Sequence, residues 1–423
     1  MTQAEIKTKK LNPCELQIDL FCKGIKIHET CTLESDARLF ARTRAGLGSG
    51  LELILPGDLK DIWMNAPVEE DFVQNTCYYL KKSGSDYVVF DDRNDYEYKV
   101  KIPNEPNWYL NKTSKGNLMS KIGVLQGTYL GIYLSKSCEY WYDAPKRNCK
   151  FCTTGFNVGI NEAESKDIDE VVEVAQAAKE ESGITFVHFN TGYQLGKGLN
   201  ICAPYVKAIK ERVGLMVGIQ AIPAVKEELW KYDWLIDCGA DHFSFCYEFH
   251  SPEVFAELCP GKEETITQQA FFDALEYTQG KMQKGQCSGE IIAGVEPLEW
   301  TYKAIDYITD VGAFPTVCIF RPVIGADLEN LPSPKYEDMI PVMKHMYLKC
   351  REHKIPIGAA PNVEVSLIVQ PDDAKYLVPR DMSFHAFQAY INTAKTMGAF
   401  MKFNKELKPH PVPGDPYNPP VAE

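Results

Sequence analysis

Residues 129–155 read YLGIYLSKSCEYWYDAPKRNCKFCTTG, a short apolar run that breaks into a loop carrying Cys138, Cys149 and Cys152. The run YLGIYLS (129–135) opens a series. It is followed by ITFVHFN (184–190), GLMVGIQ (214–220), HFSFCYE (242–248), SGEIIAGV (288–295) and PTVCIFRP (315–322). Their nearly continuous apolar character is that of parallel strands covered on both faces. Between them, DIDEVVEVAQAAKEES, YVKAIKERV and EPLEWTYKAIDYITDVG place apolar residues at helical spacing and complete β/α units. The expected class is α/β, with a parallel TIM-type β/α barrel, partial or complete. Such folds collect their chemistry at the C-terminal ends of the strands, where the cysteine loop falls.

Outside this stretch the pattern changes. Residues 1–125 hold short alternating runs, LELILP and DYVVFDDRNDYEYKVKI, with Gly46, Gly48 and Gly50 ahead of or at the first of them. They read as an amino-terminal α+β domain. The barrel is expected over 126–400. A last pair of runs, REHKIPIGAAP and NVEVSLI, extends the strand series before a helical AFQAYINTAKTMGAFMKF. Residues 401–423 end in a Pro-rich tail expected to lie irregularly on the surface.

Composition narrows the function classes. The 423 residues are 45% hydrophobic, enough for a large core and one barrel plus an accessory domain. Against 58 Asp+Glu stand 45 Lys+Arg, a formal charge of -13 that disfavours nucleic acid as a partner. No run of 18 apolar residues is present, so no membrane association is expected. The first residues carry no export-like apolar segment, and the 14 cysteines are scattered. Both features fit a reducing, cytoplasmic location in which thiols are buried, catalytic or metal-bound.

Three thiolates in one loop can hold three irons of a [4Fe-4S] cube and leave the fourth iron open to an exogenous ligand. Two other readings fit the same residues: a three-cysteine zinc site completed by a distant ligand, and plain buried thiols. The aromatic residues Tyr140, Trp141, Tyr142 and Phe151 would keep water from a cluster.

At this point the chain resembles the radical S-adenosylmethionine superfamily over about residues 128–385. The resemblance rests on Cys149-Lys150-Phe151-Cys152 at the end of the first strand and on the order of later strands. The first gap of the motif is ten residues, in place of the family's three, so the ligand count matches and the spacing does not. Asn190 and Thr191 stand where the family's backbone meets the methionyl group. Glu248 stands where a polar side chain contacts the nucleoside, with a salt bridge at the sheet end as its structural alternative. HSPEVFAELCPGK, GEIIAGVE and CIFRPVIGADLEN are similar to biotin synthase-like members. Arg321 is read either as a carboxylate ligand for cofactor or substrate, or as one half of a structural ion pair.

The resemblance implies a [4Fe-4S] cluster held by Cys138, Cys149 and Cys152, with S-adenosyl-L-methionine bordered by Phe151, Asn190, Thr191, Glu248 and Arg321. It further implies reduction by flavodoxin or ferredoxin, and a 5'-deoxyadenosyl radical that takes hydrogen from a small organic substrate in cofactor or natural-product biosynthesis. Radical-dependent methyl or sulfur transfer, a zinc-dependent barrel hydrolase or lyase with Glu248 as acid/base, and an electron-transfer or redox-sensing iron-sulfur protein stay as alternatives. The amino-terminal domain could cover the barrel mouth, receive a larger substrate or form a homodimer.

Several residues carry two readings. Only one of Cys246 and Tyr247 can face the interior by strand alternation. His188 and His242 read as satisfied structural histidines, His250 as a better site candidate, and Glu296 as the cap of the helix that follows it. Cys14, Cys22, Cys31 and Cys77, with His28, have spacings of no common ligand motif and read as ordinary thiols. Cys202, Cys238, Cys259, Cys287, Cys318 and Cys350 read as dispersed core cysteines.

Overall fold

A computed structural model describes residues 10–31, 50–379 and 403–420. Gly46 and Gly48, and the helical stretch 386–403 up to its last residue, lie outside the described residues.

The amino-terminal part begins with helix α1 (Pro13–Lys23), where Asn12 and Glu15 form a reciprocal capping box behind Pro13 at the first turn. Strands β1 (Lys26–Ile27), β4 (Tyr78–Ser83), β5 (Asp86–Asp91) and β6 (Tyr96–Val100) form one sheet. Strands β2 (Leu51–Leu55) and β3 (Ile62–Ala66) form an antiparallel pair beside it. This is the small α+β unit that the alternating runs point to.

A seven-stranded sheet follows, in the order β13-β12-β11-β10-β9-β8-β7. Strand β7 (Val124–Leu125) is an antiparallel edge on β8. Strands β8 (Leu130–Tyr133), β9 (Phe186–Asn190), β10 (Met216–Gln220), β11 (His242–Glu248), β12 (Cys287–Ala293) and β13 (Phe314–Ile319) run parallel. Each lies on one of the six apolar runs. Helices cover the outer face: α2 (Ile168–Ser182), α3 (Ala203–Ala208), α4 (Trp230–Asp237), α5 (Gln268–Lys281) and α6 (Leu298–Val311), with α7 (Tyr336–Glu352) after β13. Helix α2 starts at a capping box of Asp167 and Glu170 and stops at Gly183, whose φ of 64° provides the left-handed turn. The architecture is thus a partial β/α barrel with an amino-terminal α+β region.

The barrel is not closed by strands. The expected final pair, residues 351–368, is instead the end of α7 followed by an irregular segment, because Pro356 and Pro361 lack ladder donors and Gly358 turns at φ 64°. That segment fills the gap between β13 and β8. Val363, Val365 and Leu367 face the interior, while the backbone is held by Thr128 N–H on Glu364 O (3.0 Å) and Asn65 N–H on Ser366 O (2.6 Å). Gln17 of α1 donates to Ile368 O at 3.2 Å. The amino-terminal elements therefore back the wall that completes the barrel. Residues 409–420 are irregular and docked, with Trp234 Nε1 donating to Asp415 O (2.7 Å) and Gly414 N to Asp237 O (2.9 Å). No helix among the described residues is long and apolar enough to cross a membrane.

Candidate functional site

Curling six parallel strands against an irregular wall leaves an interior cavity of about 1040 Å³. This lies at the upper end of ligand pockets, which run from about 300 to 1,000 Å³. Residues from β8, the cysteine loop, β9, β10, β11, β12, β13 and the closing wall all line it.

Cys138, Cys149 and Cys152 all reach this cavity at the C-terminal ends of the strands, and so do Phe151, Asn190, Thr191, Glu248 and Arg321. The ten-residue gap after Cys138 is taken up by a 3-10 turn (Glu139–Trp141), a cis Ala144-Pro145 bond and a backbone bridge from Arg147 to Tyr140, so the loop folds back on itself. Tyr140 and Trp141 are buried, Tyr140 stacking on Tyr193 at 4.5 Å. Tyr142 does not shield the loop, being 71% exposed.

Each thiol has a distinct setting. Burial pushes Cys138 up to about 12, against backbone hydrogen bonds from Tyr140 and Tyr193. Cys152 is raised by burial and by the neighbouring Cys149, although Thr154 donates to it through its hydroxyl (2.9 Å) and its backbone N–H (3.4 Å). Cys149 is held below the ordinary thiol range, first by a hydrogen bond from Cys259 and then, against burial, by the charge of Lys262. Hydrogen bonds to sulfur of this kind stabilise thiolates and tune whatever metal they hold.

Gly192 closes the other side of the loop. A Cβ there would stand 2.4 Å from the Tyr133 hydroxyl and 2.7 Å from Cβ of Cys138, so only glycine lets the β9 end lie against the cysteine. Beside it, Asn190 Oδ1 is buried with no hydrogen-bond partner among the described residues.

Glu248 sits on a β-bulge. Cys246 pairs with Glu290 but Glu248 pairs with Ile291, and Glu248 adopts φ 69°, a conformation costing a non-glycine residue about 1–2 kcal/mol. Lys262 holds it there: its Nζ lies 2.7 Å from both Glu248 Oε1 and Cys246 O. A strained residue pinned by a buried ion pair at a strand end is a frequent feature of functional sites. Alternation resolves as Cys246 toward the cavity and Tyr247 outward against Phe272. Arg321 shows the ion pair, with Glu70 Oε1 2.5 Å from its Nε and Asn65 Oδ1 3.3 Å from Nη1.

Other expectations change. Of the two histidines expected to be satisfied and structural, His188 and His242, only one is satisfied among the described residues. They lie in one row across the sheet with Gly218 between them, line the cavity, and approach at 5.9 Å between ring centroids. His242 is satisfied by Gln286 O (2.8 Å), but His188 Nε2 has no partner among the described residues. His250 lies outside the cavity in an aromatic nest of Tyr247, Phe272, Trp300 and Tyr307. Glu296 caps a different helix from the one expected, accepting from His250 N and Ser251 N at the start of Pro252–Leu258. Cys259 is a buried core thiol, as expected, and it also lowers the Cys149 thiol. Cys259 and Glu290 escape a sequence reading because their partners are remote in the chain, and Lys262 because a loop and a short helix separate it from Glu248, 14 positions earlier.

Cys14, Cys22 and Cys31 are buried in the core, whereas Cys77, Asp91 and Asp92 bring their donor atoms within 4.8 Å of one another. Asp91 there is already engaged by Arg93 at 2.8 Å. The loop cysteines form no such compact trio. A tetrahedral zinc ion would need thiolates about 3.8 Å apart, given Zn–S bonds of about 2.3 Å.

No family model matches the chain. Bacteriochlorophyllide c C-7(1)-hydroxylase of Chlorobaculum limnaeum is 25% identical over 114 residues, so the similarity spans about a quarter of either protein, 27% of each. Among solved structures, methylornithine synthase (PylB) superposes with a TM-score of 0.40 and 19% identity, covering 52% of this chain and 62% of that one. HydG, a maturase of the [FeFe]-hydrogenase, gives 0.42 and 14%, covering 52% and 49%.

Proposed function

We propose that the chain is a radical S-adenosylmethionine enzyme acting on a small organic substrate in cofactor or natural-product biosynthesis. The observation that carries this reading is the convergence of Cys138, Cys149 and Cys152 on one large cavity, at the C-terminal ends of the strands. The partial sequence likeness to a hydroxylase agrees with an enzymatic role.

The residues fit the cofactors. The three cysteines would hold a [4Fe-4S] cluster. Asn190, with its unpartnered carbonyl, Thr191 and the close-packed Gly192 would border the methionyl group, Phe151 and Glu248 the nucleoside. A ligand carboxylate at Arg321 would share the guanidinium with Glu70. When bound, the reduced cluster and S-adenosylmethionine supply a 5'-deoxyadenosyl radical that removes hydrogen from the substrate. The protein's part is confinement. Tyr140 and Trp141 exclude water, the Glu248–Lys262 pair fixes the strand end, and the wall of Val363, Val365 and Leu367 closes the cavity's flank. Flavodoxin or ferredoxin would be the electron donor.

Anaerobic reconstitution with iron and sulfide, then electron paramagnetic resonance of the reduced protein with and without S-adenosylmethionine, tests the reading. A [4Fe-4S]+ signal that changes on addition, with 5'-deoxyadenosine formed, is expected. Tight binding of one zinc with no cluster would overturn it.

A further inference from the structure

Below the strand ends the cavity changes character. Its middle is occupied by Glu290 of β12, which faces inward between β11 and the interior. Three neutral donors from two neighbouring strands meet this one carboxyl group. Cys246 Sγ lies 2.9 Å from Oε2, Gln220 Nε2 lies 3.2 Å from the same oxygen, and Ser244 donates to Oε1. Such a set favours a carboxylate over a carboxylic acid, because every neighbour offers hydrogen.

What the arrangement lacks is a positive charge. Among the described residues no lysine or arginine forms an ion pair with Glu290. Lys262 lies closest in influence, but it is spent on Glu248 and the Cys246 carbonyl. A buried carboxylate with donors but no counter-charge is costly, and burial accordingly raises its affinity for a proton. A ligand cation would remove that cost.

The floor beneath is aromatic and neutral. Phe186 stacks on His188 at 5.7 Å and Phe314 on His242 at 5.6 Å. The compartment therefore offers the Glu290 carboxyl group above flat rings.

We infer that Glu290, held by Gln220, Ser244 and Cys246, is the anchor for a positively charged nitrogen of the substrate, an ammonium or amidinium borne on an apolar or aromatic body. This deepens the proposed function and rests on it only in calling the ligand a substrate. A carboxylate or phosphate at the same end of a substrate is repelled.

The test uses the full chain with reconstituted cluster, without S-adenosylmethionine, and three probes of equal size and different charge: benzylammonium, benzyl alcohol and benzoate. Isothermal titration should show benzylammonium binding at least about tenfold more tightly than benzyl alcohol, and benzoate more weakly than either. Glu290→Gln should erase the difference between ammonium and alcohol. Equal affinities in the unmodified protein overturn the inference without any variant. So do failure of benzylammonium to bind and a preference that survives Glu290→Gln. The two readings fail separately. A charge preference in a protein that forms no cluster leaves this site standing and removes the cofactor assignment, and cofactor cleavage without the preference does the reverse.

Discussion

Gly192 lies against Cys138 so closely that a Cβ on the glycine would stand 2.7 Å from the Cβ of the cysteine. The end of β9 thereby fixes one thiol of the loop, although the two residues belong to different β/α units. Gly192→Ala should push Cys138 off its position while the sheet, whose last β9–β10 hydrogen bond runs from Thr191 N to Gln220 O, keeps its fold. Affinity for iron is expected to fall about tenfold, the size seen when a ligand's supporting contact is lost. Iron content after reconstitution, compared with an unchanged circular dichroism spectrum, measures this. Full iron occupancy in the variant would show that the contact does not position the ligand.

Lys262 and Glu248 are both largely buried, so removing one partner leaves a charge without compensation. Lys262→Met should destabilise the protein by about 3 kcal/mol or more, visible in urea unfolding. The double change Lys262→Met with Glu248→Gln should recover part of that loss, since the orphaned carboxylate disappears with it. Equal loss in single and double variants would show that packing of the lysine stem matters more than the ion pair.

The sequence makes some of this site legible and conceals the rest for physical reasons. Six apolar runs mark β8 to β13 because strands buried on both faces need apolar residues throughout. The thiols of the loop stand out because three cysteines follow one strand. Residues 355–368 mislead, since NVEVSLI alternates like a strand, yet Pro356 and Pro361 deny it a ladder and its valines line a cavity instead. Glu290 looks like any polar residue in a strand. Its meaning comes from Gln220 and Cys246, 70 and 44 positions away, and no local pattern encodes such contacts. Cys259 is hidden in the same way, by a partner on a different unit of the barrel, whereas Lys262 meets Glu248 and Cys246 of the strand before it, 14 and 16 positions away.

Cys259 gives a prediction that separates tuning from binding. Its hydrogen bond holds Cys149 toward the thiolate form, and a donor on a cluster thiolate makes the cluster easier to reduce. Cys259→Ala should leave iron content unchanged and move the midpoint to a more negative value, while Cys259→Ser, which keeps a donor, should stay near the parent. A redox titration followed by electron paramagnetic resonance reads both. Loss of iron in the alanine variant would instead make Cys259 a ligand.

The two cavity histidines tie stability to pH. Burial, together with the proximity of His242, lowers His188 to about 3, and burial lowers His242 to about 4. In the unfolded chain both titrate near about 6.5. Below that value the unfolded chain takes up protons that the folded one refuses, so stability is complete above about pH 6.5 and falls as pH drops toward 4. At pH 5 each histidine should cost about 2 kcal/mol relative to pH 7, from linkage over some 1.5 units at about 1.4 kcal/mol per unit. Urea midpoints measured between pH 5 and 7 should therefore slope upward with pH. The slope should be about halved by His188→Gln, which keeps a polar side chain of similar reach but cannot titrate. A slope unchanged in that variant would mean that His188 is protonated in the folded protein, and the neutral aromatic floor of the cavity would then have to be redrawn with a charge in it.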